Sequence, residues 1–326
     1  MTVKKDFDKN LNFDKYTGFG AGASTQGDRL LNKDGSFNVE LKGLTFFQSF
    51  SPFHHLITLS SINFSLMILG VFILINLFFS MIYYLIGIDQ LQGIIHVTPV
   101  GKFIELFTFS AQTLTTVGYG RINPIGYASG LVAAFESLLG LSGFALVTGL
   151  LYGRFARPHA KLLYSSNALI APFQQKTALM FRIANLRKNQ LVECEAILSL
   201  SFLEKKTNTR RFVNLVLEYA KVNSLPLSWT IVHPIDDKSP VYGLTSQDVI
   251  ELQAEFILSF KAFDDTYAQL VYTRYSYKAD EIIWGAKFAQ MFRRGDDGKT
   301  TFLQMDKISE YIKTPLPEIK KEENNF

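Results

Sequence analysis

The run Thr115-Thr116-Val117-Gly118-Tyr119-Gly120 sets two hydroxyls, a β-branched residue and two alternate glycines in one short stretch. Gly118 and Gly120 tolerate positive φ without a Cβ clash, so the chain can alternate handedness while successive carbonyls turn to the same side. The backbone carbonyls of Thr116, Val117, Gly118 and Tyr119, with the Thr116 hydroxyl, would then form a ladder of oxygen dipoles. Such a ladder can replace the water shell of a large, weakly hydrated cation. Val117 and Tyr119 are left to project outward and pack behind it. One chain cannot close a ring around an ion, so several copies are required.

A dehydrating backbone site needs a dry setting, and the flanks provide one. From Leu56 to Ile88 no charged residue occurs, and Ala128 to Gly153 holds a single ionisable group, Glu136. A bilayer is crossed by about 20 apolar residues, so both segments read as transmembrane helices, 56–88 and 128–153. Helices of soluble proteins average about three turns and keep a polar face, which sets a soluble core helix aside. Between the spans, KFIELFTFSAQTLT from Lys102 to Thr115 is too apolar for a solvated loop and too short to cross. It reads as a re-entrant helix, with helix and ion-binding run together filling 100–120. Irregular backbone at membrane depth persists only where protein encloses it, and two spans plus one loop per subunit suggest four copies.

Composition agrees with a chain divided between two solvents. Charged residues make up 19% of 326 residues and aromatic residues 14%, against roughly 25% charged in soluble domains. A disordered or acidic chain is excluded, and one cysteine, Cys194, allows neither an internal disulfide nor a cysteine-based zinc site. A net charge of +4 is too even for a nucleic-acid binder. It is unevenly placed: Arg154, Arg157, Lys161, Lys176, Arg182, Arg187 and Lys188 follow the second span with no Asp or Glu among them. The positive-inside rule makes that side cytoplasmic, and two spans return both termini there. No cleavage site follows the first apolar run at a signal-peptide distance. The expected location is a cell membrane, crossed more than once.

On the second span Phe144, Thr148 and Tyr152 recur at i, i+4 and i+8 and form one stripe. Beside a carbonyl ladder that stripe reads as pore lining, with apolar rings that gate by dewetting. Gly140, Ser142, Gly143 and Gly149 allow close helix approach. Glu136 is expected to face protein, behind the ladder and within reach of Arg121 or Gln112. Beyond Lys161 the period becomes two. Val192 to Phe202 and Ala254 to Phe260 alternate as half-buried strands, Thr245 with Asp248 fits a capping box, and Arg294 to Gly298 reads as a turn. Short strands with little helix predict a β-sandwich over 154–315. Gly18-Phe19-Gly20-Ala21-Gly22 reads as a flexible tail and not a phosphate loop, and Cys194 as buried and inert. No nucleophile, base and orienter come together, so an enzyme is not expected.

The hexapeptide matches the selectivity filter of potassium channels, and the remaining motifs narrow the match. The chain resembles prokaryotic inward-rectifier potassium channels of the KirBac type over about 30–314. The likeness rests on Lys33-Asp34-Gly35 with Asn38-Val39, the filter, and Gly153-Arg154-Phe155-Ala156-Arg157-Pro158. It continues through Phe181 to Lys188, Thr230 to Asp236, Ser239 to Leu244 and Glu281 to Gly285. The resemblance implies a homotetramer with K+ held at Thr116, Val117, Gly118, Tyr119 and Gly120. It also implies a cytoplasmic arm over 1–43, an interfacial slide helix over 44–55, and an immunoglobulin-like cytoplasmic domain that extends the pore before a flexible tail, 316–326. Phe144 would occupy the cavity position where strong rectifiers carry an acid, and Tyr152 the helix-bundle gate. Ala268 and Gln269 would sit near the cytoplasmic constriction loop, with Arg154, Arg157 and Lys161 near anionic lipid headgroups. The likeness groups the chain with voltage-gated channels as well. No cofactor is expected, K+ being the permeant ion.

Three departures bear on function. Gln112 stands where the family usually has a pore-helix Glu that pairs with a nearby Arg. Arg121 follows the filter where bacterial relatives often have Asp, which would ring the outer mouth with positive charge. Phe144 is uncharged and 205–211 is basic where rectifying relatives carry pore-lining acids, so weak intrinsic rectification is expected. Two other readings stand beside potassium conduction: a weakly selective cation channel, and a membrane-anchored ligand sensor whose pore is vestigial.

Overall fold

Length and capping residues decide where the apolar runs become helices. In the computed structural model α1 spans Pro52–Thr58, α2 Ser61–Ile86, α3 Pro99–Leu114 and α4 Tyr127–Phe155. The residues described are 29–40, 42–43, 45, 51–156, 160–204, 209–225 and 227–317. The first span starts later than its apolar run suggests. Ser60 caps α2 by accepting from the Asn63 N–H, so Leu56 to Thr58 belong to α1 instead. Of the expected slide helix, Pro52 to His55 lie in α1, and 44 and 46–50 fall outside the described residues. Thr98 accepts from the Gly101 N–H with Pro99 in the first turn, which fixes the start of α3. Gly87, at φ 114°, ends α2.

The chain forms two units, Gly43–Arg157, and Met1–Lys42 together with Pro158–Phe326. Within the first, Phe79 and Tyr83 of α2 pack against Leu106 and Phe109 of α3, with Leu91 and Ile122 closing the cluster. β1 (Leu91–Gln92) pairs antiparallel with β2 (Asn123–Pro124) and joins the two flanks of the ion-binding run. Leu66, Leu74, Phe78 and Leu85 on α2 and Leu131, Leu138 and Leu146 on α4 are exposed in a single chain. Apolar surface on that scale marks contact with lipid or with further copies.

The second unit is the predicted β-sandwich. β3 (Leu162–Tyr164), β4 (Ala168–Phe173), β5 (Lys176–Asn185), β9 (Ser228–Ile235) and β12 (Ile282–Trp284) make one sheet, in which β12 runs parallel to β4. β6 (Leu191–Glu204), β7 (Thr209–Leu215), β8 (Lys221–Ser224), β10 (Glu255–Asp264) and β11 (Gln269–Lys278) make the other. Their inner faces bury Leu179, Phe181, Ile231, Leu198, Leu200, Phe256, Leu258 and Phe260. Cys194 is fully buried there, and burial pushes its thiol up to about 11. A bulge at Glu193, φ 50°, shifts β6 against β10. The Thr245–Asp248 capping box opens α5 (Ser246–Glu251) as expected. The 294–298 turn joins β14 (Phe292–Arg294) to β15 (Thr301–Leu303), while β13 (Ala286–Phe288) pairs with β16 (Tyr311–Lys313).

One strand face departs from simple alternation. Glu255 and Ile257 of β10 are expected to face water, yet both are buried. The N-terminal arm covers them. Leu30 and Leu31 pack on Ile257 and Phe212, and the Glu255 carboxylate accepts from their backbone N–H groups at 2.8 and 3.2 Å. Arg29 reaches Glu281 at 2.8 Å and the Ser276 carbonyl at 2.6 Å, with Lys33 on Glu281 at 2.6 Å. Gly35 turns the arm back at φ 86°, where a Cβ would stand 2.7 Å from the Arg274 carbonyl oxygen.

Candidate functional site

The pore helix α3 delivers its last turn directly into the filter. Thr116 N–H donates to the Thr113 carbonyl at 3.0 Å, and Val117 and Gly118 N–H both donate to the Gln112 carbonyl, at 2.9 and 3.2 Å. With their N–H groups turned back onto α3, the filter residues present their carbonyls elsewhere. Those of Thr116, Val117, Gly118 and Tyr119 accept no hydrogen bond among the described residues. Handedness alternates as the glycines suggest, with φ 51° at Gly118 and 83° at Gly120. Thr116, at φ 58°, takes the same left-handed form, which glycine content alone did not signal. A β-branched residue there is strained, and strain of this kind persists where the surroundings over-determine the backbone. The Val117 and Tyr119 side chains are 53% and 82% exposed, turned away from their own chain.

The supports behind the filter differ from expectation. Arg121 does not reach Glu136; its Nη1 donates to Glu105 Oε1 at 2.7 Å. Glu105, 3% exposed, also accepts from the Ile95 and His96 N–H groups at 3.0 and 3.1 Å, and His96 Nδ1 lies 3.1 Å away. The positive ring expected at the outer mouth is therefore neutralised within each chain. The carboxylate partner of an arginine that Gln112 seemed to remove has been moved two helical turns earlier in α3. A lone acid in an apolar segment, with a lone Arg just past the filter, was the available signal. Gln112 contributes its backbone carbonyl instead.

Glu136, fully buried, meets the Tyr83 hydroxyl at 2.6 Å and the Ser110 hydroxyl, not Arg121 or the Gln112 side chain. The reason is helical geometry: it sits on the face of α4 turned to α2 and the middle of α3, away from the outer mouth. Gly140, one turn further, allows α4 to touch the end of α3. A Cβ there would lie 1.8 Å from the Leu114 carbonyl oxygen.

The stripe on α4 is exposed in the single chain, Phe144 at 73% and Tyr152 at 75%, with Thr148 between them donating to the Phe144 carbonyl at 2.8 Å. Arg154 is held in place: its guanidinium donates to the Leu56 and Leu59 carbonyls, each at 2.8 Å, and stacks on Phe64. It thus ties the end of α4 to the end of α1. Lys161 is exposed, and Arg157 lies outside the described residues. Ala268 turns the β10–β11 hairpin at φ 50°, and Gln269 opens β11 opposite Asp264. In the basic segment before β7, 205–208 lie outside the described residues. Arg210 is 3% exposed and donates to Ser201 and the Gln253 carbonyl, while Arg211 pairs with Glu204. Neither is a loose surface cation.

A backbone ladder of this handedness, fed by a re-entrant helix between two membrane-length helices, is the working part of a pore-loop ion channel that carries a β-sandwich domain. The model of the inward rectifier potassium channel C-terminal domain matches residues 162–325, and a general ion channel model matches 70–156. Inward rectifier potassium channel Kirbac3.1 of Paramagnetospirillum magnetotacticum is 36% identical over 275 residues, 83% of this chain and 92% of its own. Inward rectifier potassium channel 18 of Homo sapiens and ATP-sensitive inward rectifier potassium channel 12 of Mus musculus are 28% and 29% identical. Each of those matches takes in 67% of this chain and 54% of the relative. The chain belongs to the inward rectifier potassium channel family, in its prokaryotic KirBac branch. It is a membrane protein and a potassium channel. The expected grouping with voltage-gated channels does not hold: inward rectifiers are not voltage-gated, and neither described span carries the regularly spaced arginines of a voltage sensor.

Proposed function

We propose that four copies of this chain surround one pore and conduct K+ passively. The observation that carries the reading is the filter backbone, in which left-handed Thr116, Gly118 and Gly120 alternate with Val117 and Tyr119 while α3 holds the N–H groups of Thr116, Val117 and Gly118. Four such ladders supply the oxygen cage that replaces a potassium hydration shell. The exposed Val117, Tyr119, Phe144 and Tyr152 side chains find their partners in neighbouring copies and in the shared pore. Gating falls to the Tyr152 ring and to movement of the cytoplasmic domain, whose Ala268–Gln269 turn narrows the inner path. Lys161 faces anionic headgroups, such a contact contributing about 1 kcal/mol near an anionic leaflet. Both termini lie in the cytoplasm.

Rectification is weak in this reading, because Phe144 puts no acid in the cavity. Neutralisation of Arg121 by Glu105 also removes the electrostatic reason to expect a leaky, weakly selective pore. The test is rubidium uptake into liposomes containing the purified protein, with and without anionic lipid. Gly118→Ala should abolish uptake. Uptake that persists in this variant would separate conduction from the filter, and steep block by internal spermine would overturn weak rectification.

A further inference from the structure

Four fully buried polar side chains meet where the three membrane helices of one chain come together: Asn76 and Tyr83 from α2, Ser110 from α3 and Glu136 from α4. Their hydrogens can be counted. Asn76 Nδ2 donates to the Phe72 carbonyl at 2.7 Å, so its Oδ1 is the atom facing Ser110, and an amide oxygen only accepts. Ser110 has a single hydrogen, and Oδ1 of Asn76, 2.9 Å away, requires it. Tyr83 has a single hydrogen, and it goes to Glu136 Oε2 at 2.6 Å. The remaining contact, between Ser110 Oγ and Glu136 Oε1, then has no hydrogen left on either side unless Glu136 supplies one.

The other assignments fail on the same count. Turning the Asn76 amide over sets its oxygen against the Phe72 carbonyl, two acceptors at 2.7 Å. Giving the Ser110 hydrogen to Glu136 leaves Ser110 and Asn76 with lone pairs facing each other. A charged Glu136 would also lack a counter-ion among the described residues of its own chain, because Arg121 is engaged by Glu105. We infer that Glu136 is a carboxylic acid at neutral pH and positions the pore helix by donating its proton to Ser110. The resulting chain runs with one polarity, from Tyr83 to Glu136 to Ser110 to Asn76 and on to the Phe72 carbonyl. It starts and ends on α2 and passes through α4 and α3, and the proton is what leaves every contact among the four side chains with one hydrogen.

Infrared spectroscopy of the full chain in liposomes at neutral pH tests this. The carbonyl stretch of a protonated carboxylic acid should appear in the wild type, shift on exchange into D2O, and be missing from Glu136→Gln. Ser110→Ala should move that band. The amide of Glu136→Gln can donate to Ser110 and accept from Tyr83, so rubidium uptake and oligomer stability should remain near wild type. Glu136→Leu, which can do neither, should lose uptake. A wild-type spectrum without the acid band, replaced by a carboxylate band that vanishes in Glu136→Gln, would overturn the inference. So would loss of uptake in Glu136→Gln. The infrared comparison rests on Glu136→Gln alone and stands even if Glu136→Leu does not assemble.

Discussion

Gly140→Ala puts a methyl group where α4 crosses the end of the pore helix. The added Cβ would lie 1.8 Å from the Leu114 carbonyl oxygen, 2.7 Å from its carbonyl carbon and 3.1 Å from its Cα. All three are backbone atoms, so no side chain can swing away. Contacts below 3.0 Å are essentially unknown for Cβ, and the helices must separate by at least 1.2 Å to reach that limit. Two residues before Leu114 is Gln112, whose carbonyl anchors Val117 and Gly118. A site whose geometry must hold within about 0.5 Å does not tolerate such a shift. Overpacking should cost about 1–3 kcal/mol per subunit, against a helix-propensity gain of about 1 kcal/mol for Gly to Ala. Rubidium uptake and the K+ to Na+ preference in liposomes would be compared with Gly70→Ala, where nothing lies within 4 Å of the new Cβ. The expected outcome is loss of selective flux in Gly140→Ala and wild-type or better stability in Gly70→Ala. Wild-type flux and selectivity in Gly140→Ala would refute the claim that this contact sets the filter.

Glu105→Ala strips the acceptor from Arg121 and from the Ile95 and His96 N–H groups, and because Arg121 and His96 are half exposed it should cost only about 1 kcal/mol, read as earlier thermal dissociation of the solubilised oligomer. An unchanged dissociation temperature would show that the acid does not support the outer mouth. Ala268→Gly removes a left-handed non-glycine residue and should stabilise the hairpin by about 0.5–1 kcal/mol, seen as a raised unfolding midpoint; a lowered one would contradict it. Burial pushes the Glu281 carboxyl up, but its bonds from Arg29 and Lys33 outweigh burial and hold it below the ordinary value of 4.5. Its contribution to arm docking is therefore complete above about pH 4.5 and fades as pH falls through the lower folded value. Protease cleavage within the arm should rise with acidification below that point, and an arm equally protected at acid pH would count against the clasp.

What could be read from sequence was what short-range chemistry controls. The filter, the two spans and the alternating strands each follow from local spacing, and the structure keeps them. The start of α2 moved because one hydroxyl, Ser60, caps a new helix inside a continuous apolar run. Glu255 and Ile257 looked solvent-facing because alternation reports only that a strand has two faces, while the arm that covers them comes from more than 200 positions away. The same limit explains Glu136. Its type and depth marked it as functional, but its partners were set by how three helices cross, which sequence spacing does not encode. Glu105 went unnoticed because an acid inside an apolar stretch has meaning only once its arginine is placed beside it.

Taken together, the charges around the filter leave little net field from side chains. Glu105 is matched by Arg121, and with Glu136 neutral as inferred above, neither adds an unbalanced charge within the chain. Attraction for a dehydrated cation must then come from the backbone. The C-terminal end of α3 lies directly against Thr115 and Thr116, and the partial negative charge at a helix C-terminus favours a cation by about 0.3–1 kcal/mol. The filter carbonyls add short-range dipoles that are fixed in place by the Gln112 anchor. Dipoles hold an ion strongly only when it is dry and close, whereas a net negative ring would draw any cation, hydrated or not. A neutral surround therefore places selection on the oxygen cage itself, and it makes the geometry kept by Gly140 and Gln112 more consequential than any single charge nearby.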